Sequence, residues 1–238
     1  MRIWDINPGY LNRQSLLGEH RELHGIVSIL VNRKKGYARH PETMRWADFG
    51  WALRLRHQLL AAEMALRGYK DQSPVQIKSN EGKWPRIYID QPDRQFAILG
   101  VKYLDKEPGR IPLPVNAQEL WSQHKYSVLA RNPELYRRLG KELVRSNTQE
   151  DFVRLARLVS ELLRQSPSLG GLANALQHMW GYVNDIPARH NCGVENWPLS
   201  RLLEEIQIRS LDQKVPYLLS STALSELKVW LPDSQNIS

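Results

Sequence analysis

Along residues 13–31, RQSLLGEHRELHGIVSILV, apolar side chains recur at Leu16, Leu17, Leu23, Val27, Leu30 and Val31, the spacing of one face of a helix. A basic stretch, NRKKGYARHP, follows at 32–41, and its Gly36 and Pro41 mark it as a loop. Residues 42–69 resume the helical period and predict one long helix ending at Gly68. Between 70 and 116 the pattern dissolves. Six prolines (Pro74, Pro85, Pro92, Pro108, Pro112, Pro114) argue against long helices, and RIYID and FAILGVKYL read as short extended pieces or as chain wrapped over a surface. Helical periods return at 117–131, 133–145, 148–165 and 170–183, with Asn132-Pro133 as a break and restart, and again at 197–209 and 221–229. The pattern therefore predicts a mainly α protein. It divides into residues 1–115, a helical unit with an irregular linker, and 116–238, a helical C-terminal unit.

Composition refines this picture. A 238-residue chain that is 42% hydrophobic can bury one large or two modest cores. The formal charge of +8 points toward a polyanionic partner such as nucleic acid. Eight tryptophans suggest stacking or interface roles beyond core filling. The single cysteine, Cys192, excludes an internal disulfide framework and fits a reducing cytoplasm. No secretion signal or membrane-length apolar run is visible, so a cytoplasmic protein without a membrane role is expected.

The first predicted helix carries GEHREL at 18–23. Small residues Ser15, Gly18 and Gly25 share a face with Glu22. Either this face is concave and lets a ligand approach the carboxylate, or the glycines admit another helix and Glu22 sits at the rim. His20 and His24 are four residues apart, as metal ligands on one helix can be. Glu22 lies about 200° round the helix from each, at 3.6 residues per turn, unlike the glutamate of a metalloprotease helix. With no third ligand identifiable from the sequence, no metal is expected there. Walker, dinucleotide-binding, CxxC and GxSxG motifs are absent from the sequence.

MRIWDINPGYLNRQSLLGEHREL, together with AAEMALRGY at 61–69, resembles the N-terminal part of the pyrimidine-dimer DNA glycosylases of the phage endonuclease V type. The Arg-Glu-Leu at a fixed distance from residue 1 is the most specific part of the likeness, which extends over residues 1–75. The resemblance implies an endonuclease V-like helical fold and a nucleophile that is the α-amine of the first residue. Such an amine has a pKa of about 7.7–8.0, against about 10.4 for a lysine, so a useful fraction is neutral at cellular pH. The phage chain loses its initiator methionine ahead of a small threonine. Here Arg2 follows Met1, and the alignment places Met1 itself where that threonine stands, so Met1 would supply the amine and Glu22 the catalytic carboxylate. By the same resemblance Arg2 and Arg21 would hold phosphates and Gln14 the DNA backbone. The family's Arg-Glu-Leu continues Pro-Arg, whereas His24-Gly25 stand here, so the DNA contact of that arginine is lost or replaced, with His24 as the candidate. Lys34, Lys35 and Arg39 would add salt-sensitive DNA affinity.

In the second half, SQHKYSVLARNPELYRRLGK and NALQHMWGY are similar to a bacterial helical domain of unknown function that also occurs fused to thiouracil-desulfidase-type domains. Residues 122–141 are also faintly similar to the last helix of the glycosylases, which makes His124 and Lys125 candidate DNA contacts. His178 is a further candidate.

Together these readings imply a DNA repair glycosylase with lyase activity on damaged pyrimidines in duplex DNA, working through an imine on the N-terminal amine. No cofactor and no obligate protein partner are expected. The alternatives are a non-catalytic or RNA-directed nucleic-acid-binding protein, and a metal hydrolase built on His20 and His24.

Overall fold

The computed structural model describes residues 1–145, 148–184 and 197–232, so Cys192 lies outside the described residues. Among these residues every regular element is helical, with no strand. The chain divides into two compact units, Met1–Gly109 and Arg110–Ser238.

The first unit opens with an extended N-terminal segment and a short 3-10 turn at Pro8–Tyr10. Helix α1, Arg13–Asn32, starts where the Asn12 side chain accepts the Ser15 amide at 2.9 Å, and ends at Arg33 in the left-handed region, φ 50°. Its buried face holds Ser15, Leu16, Glu19, Leu23 and Ile26, while Val31, expected on the apolar stripe, is 62% exposed. The stripe is narrower than the apolar residues suggested because a carboxylate, Glu19, occupies part of it.

Residues 42–69 form two helices rather than one. Helix α2, Pro41–Trp46, and helix α3, Gly50–Leu66, are separated at 47–49. The break has a cause in the segment around Ser79. Its hydroxyl accepts the Gly50 amide at 3.1 Å and its carbonyl the Trp51 amide at 3.0 Å. A side chain at Gly50 would come within 2.5 Å of Ile77, so glycine is what lets this segment approach. Helix α3 ends as expected. Gly68, φ 82°, donates to the Ala65 carbonyl and Tyr69 to that of Met64, the paired bonds of a Schellman cap. Helix α3 packs on α1 and is buried nearly all round, including Arg56, His57 and Glu63.

The proline-rich stretch also contains a helix that the sequence reading missed: α4, Pro92–Lys102. Pro92 stands at its first turn, where the missing amide costs nothing, so proline starts this helix rather than forbidding it. Phe96 and Leu99 are buried, and Phe96 meets Tyr10 edge-on at 4.9 Å. RIYID is neither helix nor strand.

The second unit is arranged around α5, Ala117–Leu129, against which pack α6, Pro133–Arg145; α7, Gln149–Leu162; and α8, Leu169–Trp180. Helix α9, Leu199–Asp212, lies on α8, and two single-turn helices, α10, Pro216–Leu219, and α11, Ala223–Glu226, close the chain over α9 and α5. Thr148 caps α7 in a reciprocal capping box with Asp151. Leu120, Leu155, Leu172, Leu176, Ile206 and Leu224 form its core. Here a buried Glu226 accepts from Ser127, Trp230 and Arg131.

Candidate active site

The N-terminal segment carries neither helical nor strand hydrogen bonds, yet it is largely buried. Buried backbone groups need partners, and here side chains supply them in sequence. The Arg2 amide donates to Glu22 Oε2, that of Ile3 to Glu42 Oε1 at 2.9 Å, that of Trp4 to Glu19 Oε1 at 3.2 Å, and that of Asp5 to Gln95 Oε1 at 2.8 Å. Arginines bind the opposite polarity. Arg45 donates to the Ile3 carbonyl, Arg56 to that of Ile6, and Arg67 to those of Gly9 and Leu11, at 2.7–3.1 Å.

The same arginines neutralise the buried acids. Arg45 reaches both Asp5 oxygens at 3.0 and 2.8 Å and Glu42 at 2.7 Å; Arg56 grips Glu19 through both oxygens at 2.7 and 2.8 Å; Arg67 holds Glu63 at 2.7 Å. Burial pushes the Glu19 carboxyl above its ordinary value, and Arg56 and the Trp4 amide oppose that shift. This scaffold escaped the sequence reading. Its one visible signal was the presence of Arg56 and Glu63 within the apolar run of α3, since charges in such a helix require partners.

The scaffold holds the Arg2 amide against Glu22. The α-amine of Met1 is separated from the Arg2 nitrogen, which donates to Glu22, only by the Cα and the carbonyl carbon of Met1. Glu22 is half-buried. Of its small neighbours, a Cβ at Gly18 or Gly25 would meet nothing within 4 Å among the described residues, whereas Ser15 is buried. A groove of about 330 Å³ is lined by Arg13, Gln14, Leu17, Gly18, Arg21 and Glu107, which brings the candidates Gln14 and Arg21 together, both exposed. A smaller cavity of about 140 Å³ lies beside Met1, Arg2, Asp90 and Gln95. Arg2 is already engaged, paired with Asp90 at 2.8 Å and stacked over Trp4 at 4.2 Å. Lys34, Lys35 and Arg39 are exposed on the loop after α1, Lys34 donating to Ser28 at 2.8 Å; Tyr37, 71% exposed, projects among them.

His24 does not stand with these cations. It faces α3, where His57 Nε2 lies 3.1 Å from His24 Nε2 and 3.1 Å from His20 Nε2. Asp71, just past α3, completes the group: its Oδ1 is 3.2 Å from His20 Nε2 and its Oδ2 3.5 Å from His57 Nε2. His24 is thus turned to a neighbouring helix rather than toward the exposed cations. Burial pushes His57 down to about 4, and His24 is lowered by burial and by His20. The third and fourth members were invisible in the sequence because they lie on another helix and in the irregular segment beyond it.

In the second unit, His124 is 3% exposed and sits inside the core. Lys125 is half-buried, with Nζ 4.3 Å from the Tyr217 ring centre and 5.0 Å from that of Tyr126, and burial lowers its pKa. His178 is exposed near the end of α8.

Burial, with Arg131 adding to it, pushes His124 down to about 3, so the folded chain holds it neutral. Above its unfolded value of about 6.5 both states are neutral and this site takes nothing from stability. As the pH falls from there toward 3, only the unfolded state gains the proton, and stability drops by up to about 1.4 kcal/mol per pH unit. Urea unfolding midpoints should therefore fall on acidification through this window, and less steeply in His124→Gln.

Residues 1–77 match the family described as pyrimidine dimer DNA glycosylase, and residues 125–191 match a family of unknown function, DUF1722. No curated protein and no solved structure matches the chain. Among the described residues no helix is long and apolar enough to cross a membrane.

Proposed function

We propose that this chain is a DNA glycosylase with associated lyase activity on damaged pyrimidines in duplex DNA, with the Met1 amine as nucleophile and Glu22 as the catalytic carboxylate. The observation that carries this reading is the Arg2–Glu22 contact, which sets the start of the chain against a carboxylate on α1 whose neighbours Gly18 and Gly25 have open space beside them. The family match over residues 1–77 supplies the reaction class. The neutral amine attacks C1′ of the damaged nucleotide, the C1′–N bond breaks, and the base leaves with the bonding electrons. Ring opening gives an imine between the amine and C1′. Loss of a C2′ proton then expels the 3′ phosphate, and water hydrolyses the imine to free the enzyme. Glu22 stabilises the positive charge developing on the sugar and relays protons. The target nucleotide must leave the stack for C1′ to be reached. Gln14, Arg21, Lys34, Lys35 and Arg39 supply salt-dependent affinity for the backbone.

A second reading, a nucleic-acid-binding protein without chemistry, is favoured by one observation. Arg2 is committed to Asp90 rather than free for a phosphate. Borohydride trapping with UV-irradiated duplex DNA separates the two. The glycosylase reading expects a covalent adduct mapping to the peptide that begins at Met1, lost when a residual tag extends the N-terminus. Tight binding with no adduct would establish the second reading instead.

A further inference from the structure

We propose that His20, His24, His57 and Asp71 form a four-ligand binding site for a zinc-type divalent ion that ties α1 to α3 and to the segment following α3. The inference is independent of the glycosylase reading.

The four ligand atoms lie within 4.8 Å of one another. A tetrahedral zinc ion bound at about 2.0–2.1 Å to nitrogen and about 2.0–2.2 Å to oxygen sets its ligand atoms about 3.3–3.5 Å apart. Four of the separations, 3.1, 3.1, 3.2 and 3.5 Å, lie close to that edge. The three imidazoles all present Nε2, and the two ligands on α1 stand one turn apart on the face toward α3.

Neutral hydrogen bonds fill the cluster incompletely. His20 has one Nε2–H to share between His57 Nε2 at 3.1 Å and Asp71 Oδ1 at 3.2 Å. His57 Nε2 in turn has one site to share between His20 and His24, both at 3.1 Å. A cation at the centre engages all four groups, because each then directs a lone pair inward.

The donor set selects the ion. Three imidazoles and one carboxylate, with no sulfur, suit borderline first-row divalent ions and tetrahedral zinc in particular. Four protein ligands close the coordination sphere, which is the pattern of a structural rather than a catalytic centre. The site lies next to an existing clamp: Glu19 and Arg56, which pair across α1 and α3, are the chain neighbours of His20 and His57. The ion would therefore extend a rigid seam between the two helices to the start of the irregular segment.

The test uses the full chain, stripped with a chelator and titrated with zinc against a chromophoric competitor, alongside thermal unfolding. The expected result is one zinc per chain and a rise in Tm on zinc addition. Both should be lost in His24→Ala, whose side chain is partly exposed and whose helical circular dichroism should remain native. Asp71→Asn should weaken zinc binding. Cobalt in place of zinc should give the intense visible bands of a four-coordinate site in the wild type alone. Absence of stoichiometric zinc on the folded wild-type chain would overturn the proposal. So would zinc binding that His24→Ala and Asp71→Asn leave unchanged.

Discussion

Replacing Glu22 with glutamine is expected to leave duplex binding within a few-fold of wild type and to lower turnover on UV-damaged duplex by about 100-fold or more, the range typical of losing a positioned acid–base group. The amide keeps the oxygen that accepts the Arg2 N–H, so the N-terminal segment should stay in register. What disappears is negative charge beside the developing positive charge, and the capacity to relay a proton. Single-turnover rates with protein in excess over DNA measure this directly. A mutant that cuts at the wild-type rate would remove Glu22 from the mechanism. A mutant that loses binding and cleavage together would point to a collapsed segment, which a lowered unfolding midpoint of the same protein would reveal.

The largest stability effect is expected at Glu19. Replacing it with alanine leaves the Arg56 guanidinium, 3% exposed, without its bidentate partner and the Trp4 amide without an acceptor. Removing one member of a buried pair costs about 3–5 kcal/mol, a large share of the roughly 5–15 kcal/mol that holds most domains folded. Denaturant unfolding should show this as a lower midpoint. Glu19→Gln should cost less, since it restores an acceptor for Trp4 while leaving the arginine charge unbalanced. A Glu19→Ala protein as stable as wild type would mean that the scaffold around the N-terminal segment contributes little to folding.

The comparison of these two glutamates shows what the sequence could disclose. Both lie on one turn of α1, and the helix itself was legible from its apolar period, as were the Asn132-Pro133 restart and the Gly68 cap. Glu22 was legible as a candidate because small neighbours surround it at helical spacing and a family resemblance runs through it. Glu19 carries no such signal; its burial depends on Arg56, thirty-seven residues away. Long-range pairs leave no local periodicity to read. The same reason hid Glu42, Gln95 and Arg45, and it hid the meeting of His57 and Asp71 with the two histidines on α1. Proline misled in the opposite direction. Six prolines suggested an unstructured cover, but Pro92 occupies the one helical position where its missing amide is harmless, and α4 follows it. The break between α2 and α3 was invisible because it is imposed by Ser79 binding the amides at Gly50 and Trp51.

The side-chain cradle of residues 2–5 also fixes an order of events during translation. Asp5 cannot find its acceptor until Gln95, ninety positions later, has left the ribosome. At about 5–20 residues per second that interval is about 5–18 s. The amides of residues 2–4 find their acceptors by Glu42, but that of Asp5 is fastened only after most of the unit has been made. A chain halted before Gln95 would carry the amine and Glu22 but lack the acceptor that holds the segment between them and α4 in place.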